Sequence, residues 1–149
     1  MVSLSVVQQS AVLPFMFRKG RLELLLITSI RTKRWILPKG HIEPGLNARE
    51  SAEFEALEEA GVVGEMKSQS IGAYNYRKHP ERGGYRCRVR VFAMKVTQVL
   101  DDYPEKELRE RKWMSVRKAL KFVQEPELRS LIKRFEKNQK CSRLLDVPT

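Results

Sequence analysis

Three carboxylates, Glu55, Glu58 and Glu59, stand at i, i+3 and i+4 in a stretch that reads as helix, so they share one face. Left uncompensated they would repel one another, raise at least one carboxyl pKa and weaken the helix, and a cation among them relieves that repulsion. Oxygen-only donors select a hard ion, magnesium or manganese. The helix that must carry them has its boundaries written into the sequence. Asn47 is an N-cap with Glu50 three residues on as capping-box partner, and Gly61 supplies a left-handed stop. Ahead of Asn47, Gly40, Pro44 and Gly45 make a compact loop in which the Gly40 backbone can approach a ligand closely and offer its carbonyl. Taken alone, the three glutamates also fit a solvent-facing stripe on an amphipathic helix.

Gly40 to Val62 resembles the signature of the Nudix hydrolase family, which runs Gly, five residues, Glu, seven residues, Arg-Glu-aliphatic-any-Glu-Glu-any-Gly-aliphatic. The register holds without a gap: Glu55, Glu58 and Glu59 fall on acidic positions, Gly40 and Gly61 on the glycines, and Trp35 to Lys39 leads in as strand and turn. Two positions depart, with Leu46 in place of the first Glu and Phe54 in place of the Arg. In the family those opposite charges brace the loop against the helix. Two apolar groups can replace such a pair without loss of stability, which predicts an apolar brace between Leu46 and Phe54.

The resemblance covers about residues 9 to 136 and implies an α/β architecture, the Nudix fold, in which a mixed sheet is sandwiched between helices and the box forms a loop-helix-loop. It implies a metal-dependent hydrolase cleaving a phosphoanhydride in a nucleoside-diphosphate-linked or polyphosphorylated small molecule. Mg2+ or Mn2+ would be held by Gly40, Glu55, Glu58 and Glu59, with one of the three glutamates as base. Arg34 to His41, the box, and Val96 to Leu100 are most similar to the branch acting on diphosphoinositol and diadenosine polyphosphates. Two alternatives stay open: removal of pyrophosphate from RNA 5′ ends, and a binding module that has lost catalysis, which Leu46 and Phe54 would motivate.

A chain of 149 residues fits one domain with a real core, expected over residues 1–138 with a basic tail at 139–149. The balance of 42% hydrophobic and 32% charged residues excludes global disorder. Its formal net charge of +11 favours polyanions: a phosphate-rich small molecule, RNA or an anionic surface. Cys87 and Cys141 make neither a disulfide framework nor a pair at metal-ligand spacing, so free thiols in a reducing, cytoplasmic compartment are expected. There is no secretory leader pattern and no apolar run long enough to span a bilayer, so no membrane partner is expected. Oligomeric state is left open.

The remaining elements must position these groups. Ala11 to Phe17 and Leu22 to Ile30 read as a hairpin around Arg18-Lys19-Gly20-Arg21, the second strand apolar enough to lie centrally. Arg31, Lys33 and Arg34 precede the box, and Lys39 and His41 flank Gly40; all five are candidates to grip phosphate, against the plainer reading of a solvated loop. Ala52, Ala56 and Ala60 allow the box helix to pack closely on a sheet. Ser70 to Tyr76 and Tyr85 to Val96 read as strands, and Arg86, Arg88 and Arg90 share one face of the second. Those three arginines suit bidentate phosphate contact, or else protect an exposed edge strand. From Gly64 to Val99 eight Lys and Arg face only Glu65 and Glu81. Glu105, Glu107 and Glu110 are candidates for an acid from outside the box. Ser115 caps a short helix, and Pro126 opens a last helix whose Leu128, Leu131, Ile132 and Phe135 form a core stripe.

Overall fold

The computed structural model describes residues 5–145. Strand β1 (Val6–Arg18) turns through Lys19 and Gly20, both at positive φ, into β2 (Arg21–Thr28), a two-residue hairpin whose backbone twist suits antiparallel pairing. Pro14 lies inside β1 without breaking it. The Val12 N–H donates to Pro38 O at 3.0 Å, so the nitrogen two residues on faces the same edge. On that edge the partner changes from β4 (Lys39–His41), beside Gln9 to Ala11, to β2, beside Phe15 to Arg18, and the missing donor falls in the gap.

The other edge of β1 runs parallel to β7 (Tyr85–Val99), in register from Val6 against Arg86 to Phe15 against Lys95. Strands β5 (Val62–Met66) and β6 (Gly72–Lys78) share the far edge of β7, and β3 (Trp35–Ile36) and β8 (Arg111–Ser115) pair with β2. The result is one eight-stranded mixed sheet with β1 and β7 at its centre. β7 is therefore not an edge strand, and Arg86, Arg88 and Arg90 do not protect an edge: both sides of the strand are hydrogen-bonded along the stretch that carries them.

Each face of the sheet buries its own core. On one, Leu13, Phe15, Leu24, Leu26, Val89 and Val91 pack with Met114, α2 (Val116–Phe122) and α3 (Pro126–Leu145), which supplies Leu128, Leu131, Ile132 and Phe135 as its sequence predicted. Ser115 caps α2, its hydroxyl accepting from Lys118 N at 3.1 Å. Helix α3 continues past residue 138 to Leu145, so the stretch expected to be tail begins as helix; residues 146–149 lie outside the described residues. On the other face, Val12, Leu25, Ile27, Phe92, Met94 and Val96 meet α1 (Ala48–Glu55) and the wide π-helical turn that extends it (Ala56–Ala60). Ala52, Ala56 and Ala60 are fully buried, and their small side chains set the helix close onto the sheet.

Both ends of that helix are fixed by the residues the sequence named. The Asn47 side chain accepts from Glu50 N at 2.8 Å while Glu50 Oε1 accepts from Asn47 N at 3.0 Å. Gly61 closes the π turn at φ 64°, and a Cβ there would collide with the Tyr103 ring. Arg111 covers the exposed carbonyls, donating to Ala60 O at 2.9 Å and to Leu100 O at 2.6 Å. Removing the N-terminal cap by Asn47→Ala should lower stability by about 1 kcal/mol, seen as a lower urea midpoint at unchanged slope.

Candidate functional site

The box helix presents its carboxylates to a cleft of about 980 Å³. Glu55 and Glu59 both line it, and they meet through their side chains. Glu59 is 7% exposed and held from two sides: Oε1 accepts from Lys39 N at 3.0 Å and Oε2 from Arg109 Nη2 at 3.2 Å. Glu55 lies directly on Gly40, where a Cβ would collide with its carboxylate. Gly40 is thus the floor of the site, and any side chain there would expel Glu55.

Burial and the neighbouring Glu59, followed by Glu105 and Glu43, push the Glu55 carboxyl up to about 8. Burial also raises Glu59, against the pull of Arg109 and the Lys39 amide. Two adjacent carboxyls raised for these reasons are a donor set short of positive charge, and oxygen donors of this kind fit a hard divalent ion.

Glu58 does not join them. It is half-buried and does not line the cleft, and its backbone carbonyl accepts from Glu105 N at 3.0 Å. The π turn gives the reason. The Gly61 N–H reaches back five residues to Ala56 O, and this wider turn carries the i+4 residue toward the face of residue i while i+3 swings aside. Among the described residues no three His, Cys, Asp or Glu side chains gather as a group that could hold a metal ion.

Arg109 is the site residue that the sequence reading missed. Besides Glu59 it engages Glu105 Oε1 at 2.9 Å and Thr28 O at 3.1 Å, tying β2, the box helix and the 100–110 loop together. Nothing in the mixed-charge run Glu105 to Lys112 distinguishes this arginine from its neighbours, because its role depends on a partner 50 residues away. Of the three outside acids, only Glu105 reaches the carboxylate pair; Glu107 and Glu110 are exposed.

The cations predicted to grip phosphate divide. Arg31, Arg34, Lys39 and His41 line the cleft, and Arg77 and Lys78 join them from β6. Lys33 does not line it. Arg34 is paired with Glu125 at 2.8 Å and Arg31 with Glu81 at 3.1 Å, so both are fixed rather than free. Lys39 sits over the Tyr76 ring at 5.2 Å, and burial lowers its ammonium to about 8 against the opposing pull of Glu59 and Glu125. Arg86, Arg88 and Arg90 lie outside the cleft, exposed on the open sheet face beside α1.

Leu46 and Phe54 are 38% and 46% exposed, and neither belongs to a core cluster. Polar bonds hold the loop: buried Ser51 Oγ accepts from Glu43 N at 2.9 Å, and Leu46 N donates to Glu43 O at 3.1 Å.

A mixed sheet between helices, with a capped box helix delivering two acids to a cation-lined cleft, defines an α/β domain. The chain belongs to the Nudix family: the NUDIX domain model matches residues 7–135. It is 36% identical over 109 residues to Nudix hydrolase 12, mitochondrial, of Arabidopsis thaliana, a match covering 69% of this chain and 53% of that protein. A second relative, human diphosphoinositol polyphosphate phosphohydrolase 3-alpha, is 33% identical over 105 residues, 68% of this chain and 60% of the relative. The chain thus spans between half and two thirds of the length of these curated relatives. Among solved structures, C. elegans Ap4A hydrolase superposes with a TM-score of 0.66 at 20% identity, over 91% of this chain and 99% of that one, which establishes the fold. No helix of the described residues is long and apolar enough to cross a membrane.

The raised Glu55 carboxyl has a consequence for stability. Between the ordinary carboxylate range and about 8 the folded protein holds a proton that the unfolded chain has released, so stability falls as pH rises through that window. Metal-free protein should therefore lose melting temperature on going from weakly acidic pH to pH 8. Glu55→Gln should flatten that slope, and added Mg2+ should raise the melting temperature more at the alkaline end, where the ligands are deprotonated.

Proposed function

We propose that this domain is a metal-dependent pyrophosphohydrolase acting on a phosphoanhydride in a polyphosphorylated small molecule. The carrying observation is the buried Glu55 and Glu59 pair, seated on Gly40 and facing a cleft whose other walls carry Arg31, Arg34, Lys39, Arg77 and Lys78. Glu55 and Glu59 would hold Mg2+ or Mn2+, with the Gly40 carbonyl as a further oxygen donor. When bound, the ion neutralises charge developing on the phosphate oxygens and acidifies a water.

The protein's own groups do the rest. Arg109 and the Lys39 amide fix the orientation of Glu59, so that its carboxylate does not reorganise as the reaction proceeds. Lys39, Arg34 and Arg31 meet the phosphate chain; the ion pairs of Arg34 and Arg31 hold their guanidiniums in place beforehand. His41 lies at the rim, on the strand that carries Gly40, and contacts the substrate from there.

Diadenosine and diphosphoinositol polyphosphates are the favoured substrate class. Support comes from the human relative and the C. elegans structure named for such compounds, and from the density of cations around the cleft. The two free cysteines, one buried and one exposed, accord with a reducing compartment such as the cytoplasm.

A Mg2+-dependent screen of diadenosine polyphosphates, diphosphoinositol polyphosphates and nucleoside triphosphates tests this reading. The expected result is hydrolysis of a member of the first two classes, abolished by chelator, with kcat reduced about a hundredfold or more in Glu59→Gln. Absence of metal-dependent product from every class would overturn it. A fully active Glu59→Gln would overturn the site.

A further inference from the structure

Arg86, Arg88 and Arg90 take no part in the cleft, yet their arrangement is specific. They alternate along a strand bonded on both edges, all exposed, about 6.6 Å apart, on the sheet face that α1 covers farther along β7 at Phe92 and Met94. Among the described residues no carboxylate pairs with them. Their cross-strand partners are Val6, Gln8 and Ser10 on β1 and Arg77, Asn75 and Ala73 on β6. Arg77 stands directly opposite Arg86, a like-charge pair that costs stability on a sheet surface. The carboxylate that shares a groove with Arg77 and Arg86, that of Glu127, is taken up by the Asn75 backbone and side-chain amides.

We propose that this face is a docking track for the backbone of a single-stranded nucleic acid, RNA in the first instance. Three properties select that partner. The spacing of the arginines exceeds the about 3.4 Å rise of a stacked strand and suits phosphates of an extended one. The arginines lie on the sheet floor beside a helix about 10 Å thick that carries exposed Glu50 and Glu53, a step that keeps a flat anionic membrane away and leaves room for a thin flexible strand. The row also runs toward the catalytic end: Arg90 pairs with Ser10, and Ser10 with Gly40, beneath Glu55. A strand laid along Arg86, Arg88 and Arg90 would bring its end to the carboxylate pair.

This goes beyond the hydrolase reading and does not need it, because the binding requires neither metal nor turnover. Fluorescence anisotropy of a short single-stranded RNA with metal-free protein tests it, using Arg86→Ala/Arg88→Ala/Arg90→Ala and the matching triple lysine variant, with thermal melts to confirm folding. The alanine variant should bind RNA at least tenfold more weakly, with a log–log salt slope shallower by about 2 for three lost phosphate contacts. The lysine variant should keep the slope, and hydrolysis of a diadenosine polyphosphate should be unaffected in both. Unchanged RNA affinity and slope in the alanine variant would overturn the proposal. Loss of binding to phosphatidylserine vesicles with RNA binding intact would overturn it as well, in favour of a membrane surface.

Discussion

Glu55 and Glu59 meet carboxyl to carboxyl above Gly40, and like charges buried together persist only where something neutralises one of them or a proton is kept. The fold supplies both in part. Arg109 and the Lys39 amide draw the Glu59 carboxyl toward its anion against the burial that raises it, whereas burial beside Glu59 pushes the Glu55 carboxyl up to about 8. The chain itself leaves the pair short of positive charge.

Much of the surrounding structure follows from holding that pair in place. The capping box and Gly61 fix where the helix starts and stops, and the alanine stripe sets its distance from the sheet. The π turn then brings Glu59 beside Glu55 in the cleft lining. On the opposite side, Arg109 reaches Thr28 O at the end of β2, so the hairpin strand and the box helix share one guanidinium.

The excess of positive charge resolves into two populations with different surroundings. Around the cleft, Arg31 and Arg34 are already paired with Glu81 and Glu125. On the open sheet face, Arg86, Arg88 and Arg90 are exposed and form no ion pair among the described residues, and the Arg90 guanidinium lies over the Phe92 ring at 5.5 Å. A net charge of +11 cannot make that distinction. Whether a cation is a fixed donor or a free attractor depends on the carboxylate beside it, and those carboxylates lie about 50 and 91 residues away in the chain.

What the sequence determined by itself was everything carried by short spacings. The Asn47 cap with Glu50, the Gly61 stop, the alanine stripe, the Lys19-Gly20 hairpin and the core stripe of α3 each depend on neighbours within a turn or two, where backbone geometry fixes who meets whom. The box register belongs to the same class, and with it the family. Tertiary structure alone decided the rest. It placed β7 at the centre of the sheet, left Leu46 and Phe54 exposed, widened the helix into a π turn that sets Glu55 and Glu59 in the cleft lining, and recruited Arg109 and Glu105. Each of these turns on a contact between residues distant in sequence, or on a local widening of the helix that a 3.6-residue period does not encode.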